Sequence, residues 1–173
     1  MPTPNPSALD AEALYQALLD QVRGGLAGQP DPAIVGIHSG GAWLAERLAR
    51  DLDLKGRLGS IDVSFYRDDY AKKGLHPDVK PTNIPFDVDR ATILLVDDVL
   101  YTGRTTRAAI NVLFDYGRPQ RIMLAALVDR GERQLPVAAD FVGTHVSLNA
   151  GQLLALSRDA EGKLALAVED DHV

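Results

Sequence analysis

Two adjacent carboxylates, Asp97 and Asp98, are the residues of this sequence best placed to do chemistry. They directly follow four apolar residues at 93–96, which predict a buried parallel strand. In open α/β sheets, ligands bind at the carboxyl ends of such strands. Ionised carboxylates accept strong hydrogen bonds from hydroxyl groups. The pair therefore predicts a site for a ligand with neighbouring hydroxyls, although one carboxylate could instead be a solvated strand-end residue.

A loop rich in hydroxyl groups follows the carboxylates and leads into a helical pattern at residues 107–116. A glycine in this loop lets the backbone approach an oxyanion, and the amides at a helix N-terminus favour negative charge. Thr105 could also cap the helix, and both roles are compatible. A phosphorylated sugar would suit the carboxylates and the loop together. The predicted phosphate cradle comprises Tyr101, Thr102, Gly103, Arg104, Thr105 and Thr106.

Ser39, Gly40 and Gly41 form a second turn, between a predicted strand at 33–37 and a predicted helix at 42–52. A tight turn would need only one glycine, so two favour an oxyanion site here as well. The remaining elements predicted from hydrophobic spacing are a helix at 7–27 and strands at 61–65, 122–128, 139–144 and 164–168. Ser7 is the expected helix cap, and either the Gly24–Gly25 pair or Gly28 the expected helix end. Strands that alternate with helices favour a mainly parallel sheet with helices on both faces.

Residues 67–90 are the one long stretch without a pattern, and loops of this length are usually functional lids or disordered. We expect one domain over residues 1–173, with residues 1–7 as an extended arm and residues 67–90 as a flexible lid loop. The four histidines show no metal-ligand spacing.

Residues 96–105 resemble the phosphoribosyl diphosphate signature of type I phosphoribosyltransferases. Residues 64–69 and 127–136 narrow the resemblance to the pyrimidine operon regulators of the PyrR group. It covers roughly residues 8 to 150 in matching order, and such a long motif is far more specific than a lone glycine fingerprint. The resemblance implies the type I phosphoribosyltransferase fold, a mainly parallel twisted sheet flanked by helices with a small hood. We expect this hood to be built from the terminal segments.

The resemblance also implies an activity, the synthesis of uridine monophosphate and diphosphate from uracil and phosphoribosyl diphosphate. Asp97 and Asp98 would hold the ribose hydroxyls, and residues 101–106 the 5′-phosphate. The loop of Ser39, Gly40 and Gly41 would hold the diphosphate, more weakly than in PyrR-like chains, which usually have arginine where Gly40 stands. Mg²⁺ would be held largely by the substrate and water. The remaining assignments are Arg67 in a catalytic lid, with Lys72, Lys73 and Lys80 as further diphosphate contacts, and Val128, Asp129 and Arg130 at the base.

Composition separates the alternatives that remain open. The net charge of -6 opposes general affinity for nucleic acid, and Ala138 and Thr144 stand where PyrR relatives often have basic residues. We therefore expect enzymatic activity rather than RNA-binding regulation of pyrimidine genes. Transfer to another base and a non-catalytic nucleotide sensor are further alternatives. The absence of cysteine excludes disulfides and permits a cytoplasmic location, and no apolar stretch is long enough for a membrane span. We also expect the chain to bind uridine nucleotides and to form a homodimer or a higher homo-oligomer.

Overall fold

A parallel sheet organises the computed structural model, which describes residues 2–64 and 81–172. In this part of the chain the helices are α1 (Ala11–Leu26), α2 (Gly40–Asp51) and α3 (Arg104–Tyr116). The strands are β1 (Pro32–Ile37), β2 (Leu58–Ile61), β3 (Thr92–Leu100), β4 (Arg121–Asp129), β5 (Phe141–His145), β6 (Gln152–Arg158) and β7 (Leu164–Asp170). The main sheet has the order β2-β1-β3-β4-β5, and all of its pairings are parallel. The strand order reverses between β1 and β3, which is where open α/β sheets bind their ligands.

Buried side chains of the sheet alternate between two apolar clusters. On one face, Leu94 and Val96 pack with residues of α1 and α2. On the other face, Ile93 and Leu95 pack with residues of α3. Because successive strand residues point to opposite faces, β3 must be apolar at every position to satisfy both clusters. This confirms the predicted central strand and the α/β class with helices on both faces.

The N-terminal helix begins later than the sequence predicted. Residues Pro6–Ala8 form a short 3-10 helix, and Asp10 caps α1 by accepting a hydrogen bond of 3.1 Å from the amide of Ala13. Ser7 as the cap was therefore wrong, since the helix begins later and Asp10 caps an amide of its first turn. Gly28, one of the two predicted helix ends, follows the end of α1 in a left-handed conformation with φ +75°.

The segment after α2 also differs from the prediction. The strand expected at 61–65 lies at Leu58–Ile61, although Val63 is still buried. Residues 81–90, the second part of the predicted lid loop, pack on the sheet: Asn83 exchanges two backbone hydrogen bonds of 2.8 Å with Ser60, and Val88 is buried. These contacts correct the bounds of the lid loop, because residues 81–90 are anchored. Residues 67–80, with Arg67, lie outside the described residues.

The two ends of the chain pack together beside the main sheet. The antiparallel pair of β6 and β7 contributes Leu154, Leu156 and Leu164 to the cluster that contains α1. Glu12 of α1 accepts a hydrogen bond of 2.8 Å from the amide of Leu164 and two from the guanidinium of Arg47. The terminal segments thus form a small second layer on one side of the sheet. Among the helices of the described residues, none has both the length and the apolar character needed to span a bilayer.

Candidate active site

The candidate site lies at the carboxyl ends of three neighbouring strands, β1, β3 and β4. The pairing of β1 with β3 stops at Gly36 and Val96, while β3 continues beside β4 to Leu100 and Asp129. Asp97 and Asp98 therefore sit on the part of β3 that β1 no longer covers. They are the sixth and seventh of the nine residues of β3, a strand longer than the predicted one, and this extension brings them beside the turn that follows β1.

The two carboxylates are held by the backbone of their own strand. Asp97 is only 5% exposed, and its Oδ1 accepts a hydrogen bond of 2.9 Å from the amide of Asp98. Asp98 is half-buried, and its Oδ1 accepts one of 2.9 Å from the amide of Val99. Each carboxylate oxygen can accept more than one hydrogen bond, so these contacts orient the groups without using up their capacity. Successive strand residues face opposite sides, so the pair presents acceptors on both sides of the strand end.

The turn after β1 approaches β3 so closely that a side chain at Gly41 would meet the backbone of the strand. A Cβ atom on Gly41 would lie 2.4 Å from the carbonyl oxygen of Val96 and 3.0 Å from Cα of Asp97. A Cβ atom on Gly40 would lie 2.3 Å from Oδ2 of Asp98. Both glycines are buried, whereas Ser39 is exposed at the N-terminus of α2. The structure thus brings the predicted diphosphate loop into contact with both predicted ribose ligands.

The predicted phosphate cradle is a tight turn that enters α3. Gly103 has φ +93°, a left-handed conformation that favours glycine, and it occupies the cap position of the helix. Thr102 accepts a hydrogen bond of 3.3 Å from the amide of Arg104 through its Oγ1. Thr105 is therefore not the helix cap, because α3 begins three residues earlier than the predicted helix. The amides of the first turn have no partner within the helix, which leaves them suited to an anion.

Thr106 lies apart from the rest of this loop. Its side chain is 1% exposed and lines a cavity with Leu95, Ile110 and Leu124, between α3 and the sheet. Its Oγ1 has no hydrogen-bond partner within residues 2–64 and 81–172. The geometry therefore leaves Thr106 a backbone role in the cradle, and the described contacts do not bring its hydroxyl to the turn.

The predicted base-side residues end β4. Val128 is fully buried, and Asp129 is 6% exposed. Burial opposes ionisation of Asp129, but hydrogen bonds from Arg133 at 2.6 Å and from the amide of Gly131 at 2.9 Å outweigh it and lower the pKa of the carboxyl. Its Oδ2 thus accepts from a protein cation, which favours a structural role for the carboxylate itself.

Arg130 connects the base side with the phosphate loop. Its guanidinium lies 3.9 Å from the centre of the Tyr101 ring, within the range of a cation–π contact. It also donates to the carbonyl of Gln152 at 3.2 Å and to Oε2 of Glu132 at 3.1 Å. Two residues predicted for different ligands therefore touch each other, and Arg130 also contacts the start of β6.

From the sequence, Arg130 and Arg133 could equally pair with nearby acids, and Arg133 does pair with Asp129, whereas Gln134 was not singled out. Arg133 donates to Asp129 and to two backbone carbonyls, and the Oε1 of Gln134 accepts a hydrogen bond of 3.0 Å from Nε of Arg104. The sequence shows which residue types stand at these positions, but no local pattern indicates which groups their side chains hydrogen-bond to. Arg67 lies outside the described residues, so its predicted role is not tested.

Within residues 2–64 and 81–172, no group of three or more potential ligand residues could hold a metal ion. A hard cation such as Mg²⁺ needs oxygen ligands and commonly takes one or two carboxylates together with substrate phosphates and water. Asp97 and Asp98 fit that donor chemistry beside the two anion-binding turns.

A separate cleft lies between α2 and the β6–β7 hairpin. Two of its arginines are paired, since Arg47 binds Glu12 at 2.7 Å and Arg158 binds Glu46 at 3.0 Å. It holds none of the predicted site residues, so we place the chemistry at the strand ends.

Comparison with known proteins agrees with this geometry. Residues 7–161 match the family model described as "Phosphoribosyl transferase domain". The chain is 57% identical over 159 residues to the "Bifunctional protein PyrR" of Ralstonia nicotianae, covering 91% of each chain. It is 47% identical over 161 residues to the protein of that name from Nitrosococcus oceani, again covering 91% of each.

Solved structures show the same fold at lower identity. A hypoxanthine phosphoribosyltransferase of Trypanosoma cruzi superposes with a TM-score of 0.61 at 16% identity, over 86% of this chain and 85% of that one. A purine phosphoribosyltransferase from Pyrococcus horikoshii gives a TM-score of 0.57 at 26% identity, over 79% of this chain and 82% of that one.

Proposed function

This chain belongs to the phosphoribosyl transferase domain family and, within it, to the PyrR proteins, and from this we propose that it is a uracil phosphoribosyltransferase. It joins uracil to phosphoribosyl diphosphate and releases uridine monophosphate and diphosphate. The observation that carries the proposal is the contact of the Ser39–Gly41 turn with the vicinal carboxylates of β3, next to the cap of α3. This arrangement offers sites for a diphosphate, two hydroxyls and a phosphate in one row.

In the proposed reaction, N1 of uracil attacks C1′ of the ribose as the bond from C1′ to the diphosphate oxygen breaks, and the proton of N1 leaves to the departing diphosphate or to water. Positive charge develops on the ribose ring, and the carboxylates of Asp97 and Asp98 stabilise it while accepting hydrogen bonds from the 2′- and 3′-hydroxyls. The backbone amides of the two turns hold the phosphates at either end. Catalysis therefore depends on placement and charge, and no side chain serves as a covalent nucleophile.

Mg²⁺ fits this site as an ion that neutralises the departing diphosphate. Asp97 and Asp98 are the residues that would contact it, directly or through water, and the diphosphate would supply further oxygens. The role of the chain is to hold those carboxylates in alignment, which the hydrogen bonds from the amides of Asp98 and Val99 accomplish. Arg67 remains a proposed lid cation on the strength of the sequence alone.

The experiment that tests this proposal is the double variant Asp97→Asn with Asp98→Asn. Each lost charge-assisted contact costs on the order of 1.5–3 kcal/mol, so transfer should fall by roughly 100- to 10,000-fold. Asparagine keeps an oxygen that accepts the same backbone amides, so the fold should survive. Asp115→Asn, on the exposed side of α3, is the matched control and should transfer normally. Near-normal turnover by a folded double variant contradicts the mechanism.

A second candidate function is regulation of pyrimidine genes through RNA, because the curated relatives are named bifunctional. The described surface offers it little support. Ala138 is exposed and Thr144 half-buried on or beside β5, where basic residues would favour phosphate contacts. We therefore favour transfer to uracil over RNA binding as the function of this chain.

A further inference from the structure

Arg133 joins three separate segments at the site. Its Nη1 donates to the carbonyl of Tyr101 at 2.6 Å, its Nε to the carbonyl of Val137 at 2.8 Å, and its Nη2 to Oδ2 of Asp129 at 2.6 Å. The side chain is 23% exposed, so its fork of donors is largely committed to the protein. Such a rigid planar fork fixes the relative placement of its partners better than a single ammonium group can.

The backbone next to Arg133 donates hydrogen bonds to the loop that contains Tyr101 and Thr102. The amides of Gln134 and Leu135 both donate to the carbonyl of Thr102, at 2.9 Å and 3.1 Å. Gln134 also holds the side chain of Arg104. A Cβ on Gly103 would meet Val137 at 3.3 Å, so the two loops are in van der Waals contact as well. We call residues 133–137 the brace.

The brace determines where the amides of the phosphate turn point. In a planar trans peptide, the C=O and the following N–H point in opposite directions. The carbonyls of Tyr101 and Thr102 accept hydrogen bonds from the brace, so the amides of Thr102 and Gly103 must point away from it. Those amides belong to the turn that enters α3, where an anion is favoured.

From this geometry we propose that Arg133 is a positioning residue for the phosphate end of the substrate, acting through the carbonyl of Tyr101. The proposal rests on the proposed function, since it concerns how the same site holds phosphoribosyl diphosphate. It also assigns the carboxylate of Asp129 to Arg133 rather than to the base. The 5′-phosphate does not react, so the lost contact should weaken ground-state and transition-state binding equally.

Arg133→Lys is the diagnostic variant, because lysine preserves a charge for the buried carboxylate of Asp129 but cannot span all three acceptors. We expect about a tenfold rise in the Kd for ribose 5-phosphate by calorimetry and in KM for phosphoribosyl diphosphate, with kcat changed less than threefold. Arg121→Lys, exposed at the opposite end of β4, is the matched control and should bind as the wild type does.

If Arg133→Lys does not fold, the pair Arg133→Gln with Asp129→Asn removes both charges together and should show the same rise in Kd. A folded variant that binds ribose 5-phosphate normally, or one that loses kcat at unchanged KM, overturns the positioning role. A wild-type protein that binds neither ribose 5-phosphate nor phosphoribosyl diphosphate overturns the proposed function instead. The two failures are therefore distinguishable.

Discussion

Replacing Gly41 by alanine adds one methyl group where the turn after β1 touches β3. The new Cβ would lie 2.4 Å from the carbonyl oxygen of Val96 and 3.0 Å from Cα of Asp97. Both neighbours are backbone atoms of the central strand, so no side chain can rotate away to make room. The turn and the strand must separate, and the separation occurs directly beside the carboxylates of Asp97 and Asp98 that we propose for the reaction.

The size of the effect follows from these distances. Relief of the contact with Val96 to about 3.4 Å requires a movement of about 1 Å (3.4 − 2.4), because non-bonded atoms repel strongly at shorter range. Overpacking of this kind costs about 1–3 kcal/mol of folding stability. For a chain of this length, each kcal/mol lowers Tm by about 2–4 °C. A misplacement of about 1 Å in a catalytic site can reduce the rate on the order of 100-fold.

The assay measures transfer to uracil and thermal unfolding on the same samples. We expect Gly41→Ala to remain folded, with a lower Tm and roughly 100-fold lower kcat/KM. Gly24→Ala, in α1 with no atom within 4 Å of the added methyl group, is the matched control and should transfer normally. Wild-type activity and Tm in Gly41→Ala would refute the inference that the turn must contact the strand this closely.

Three further predictions test other parts of the molecule. Gly24→Ala should raise stability by about 0.5–1 kcal/mol, measured by urea unfolding, because alanine restricts the unfolded chain and fits the helix. Glu12→Gln should cost about 1–3 kcal/mol at neutral pH. The hydrogen bond from Arg47 lowers the pKa of Glu12, so this difference should be fully present above about pH 4.5 and should be lost as the pH falls from there through the lowered pKa; a constant difference would exclude the ion pair as its cause. The chain should bind pyrimidine-operon leader RNA weakly near physiological salt, because Ala138 and Thr144 supply no phosphate contact; nanomolar, salt-sensitive binding in a gel-shift titration would contradict this.

The sequence predicted the central features because their signals are local. The apolar run before Asp97 has no polar position, which marks a strand buried on both faces. The two glycines after β1 and the glycine before α3 mark turns where backbone must come close to something. These patterns predicted the strand ends and the two turns, and the structure brings them together at the point where the strand order reverses.

Features that depend on tertiary contacts were missed. Residues 81–90 contain prolines and charges typical of a loop, and tertiary contacts anchor them, among them the pairing of Asn83 with Ser60 and the burial of Val88. The strand β6 was not predicted, because it is half-exposed and alternates poorly, and its pairing with β7 stabilises it. Arginine is usually a surface residue, so the three hydrogen-bond partners of Arg133 could be identified only from the packing of the loops.

The most direct test of the central claim is a product assay with the wild-type chain, labelled phosphoribosyl diphosphate, Mg²⁺ and a panel of bases. We predict that uracil alone among uracil, hypoxanthine, guanine and adenine yields a labelled nucleoside monophosphate, with release of one diphosphate for each nucleotide formed. Product from a purine but not from uracil would contradict the proposed base. Tight binding of phosphoribosyl diphosphate without product from any base would contradict catalysis itself and favour a nucleotide sensor.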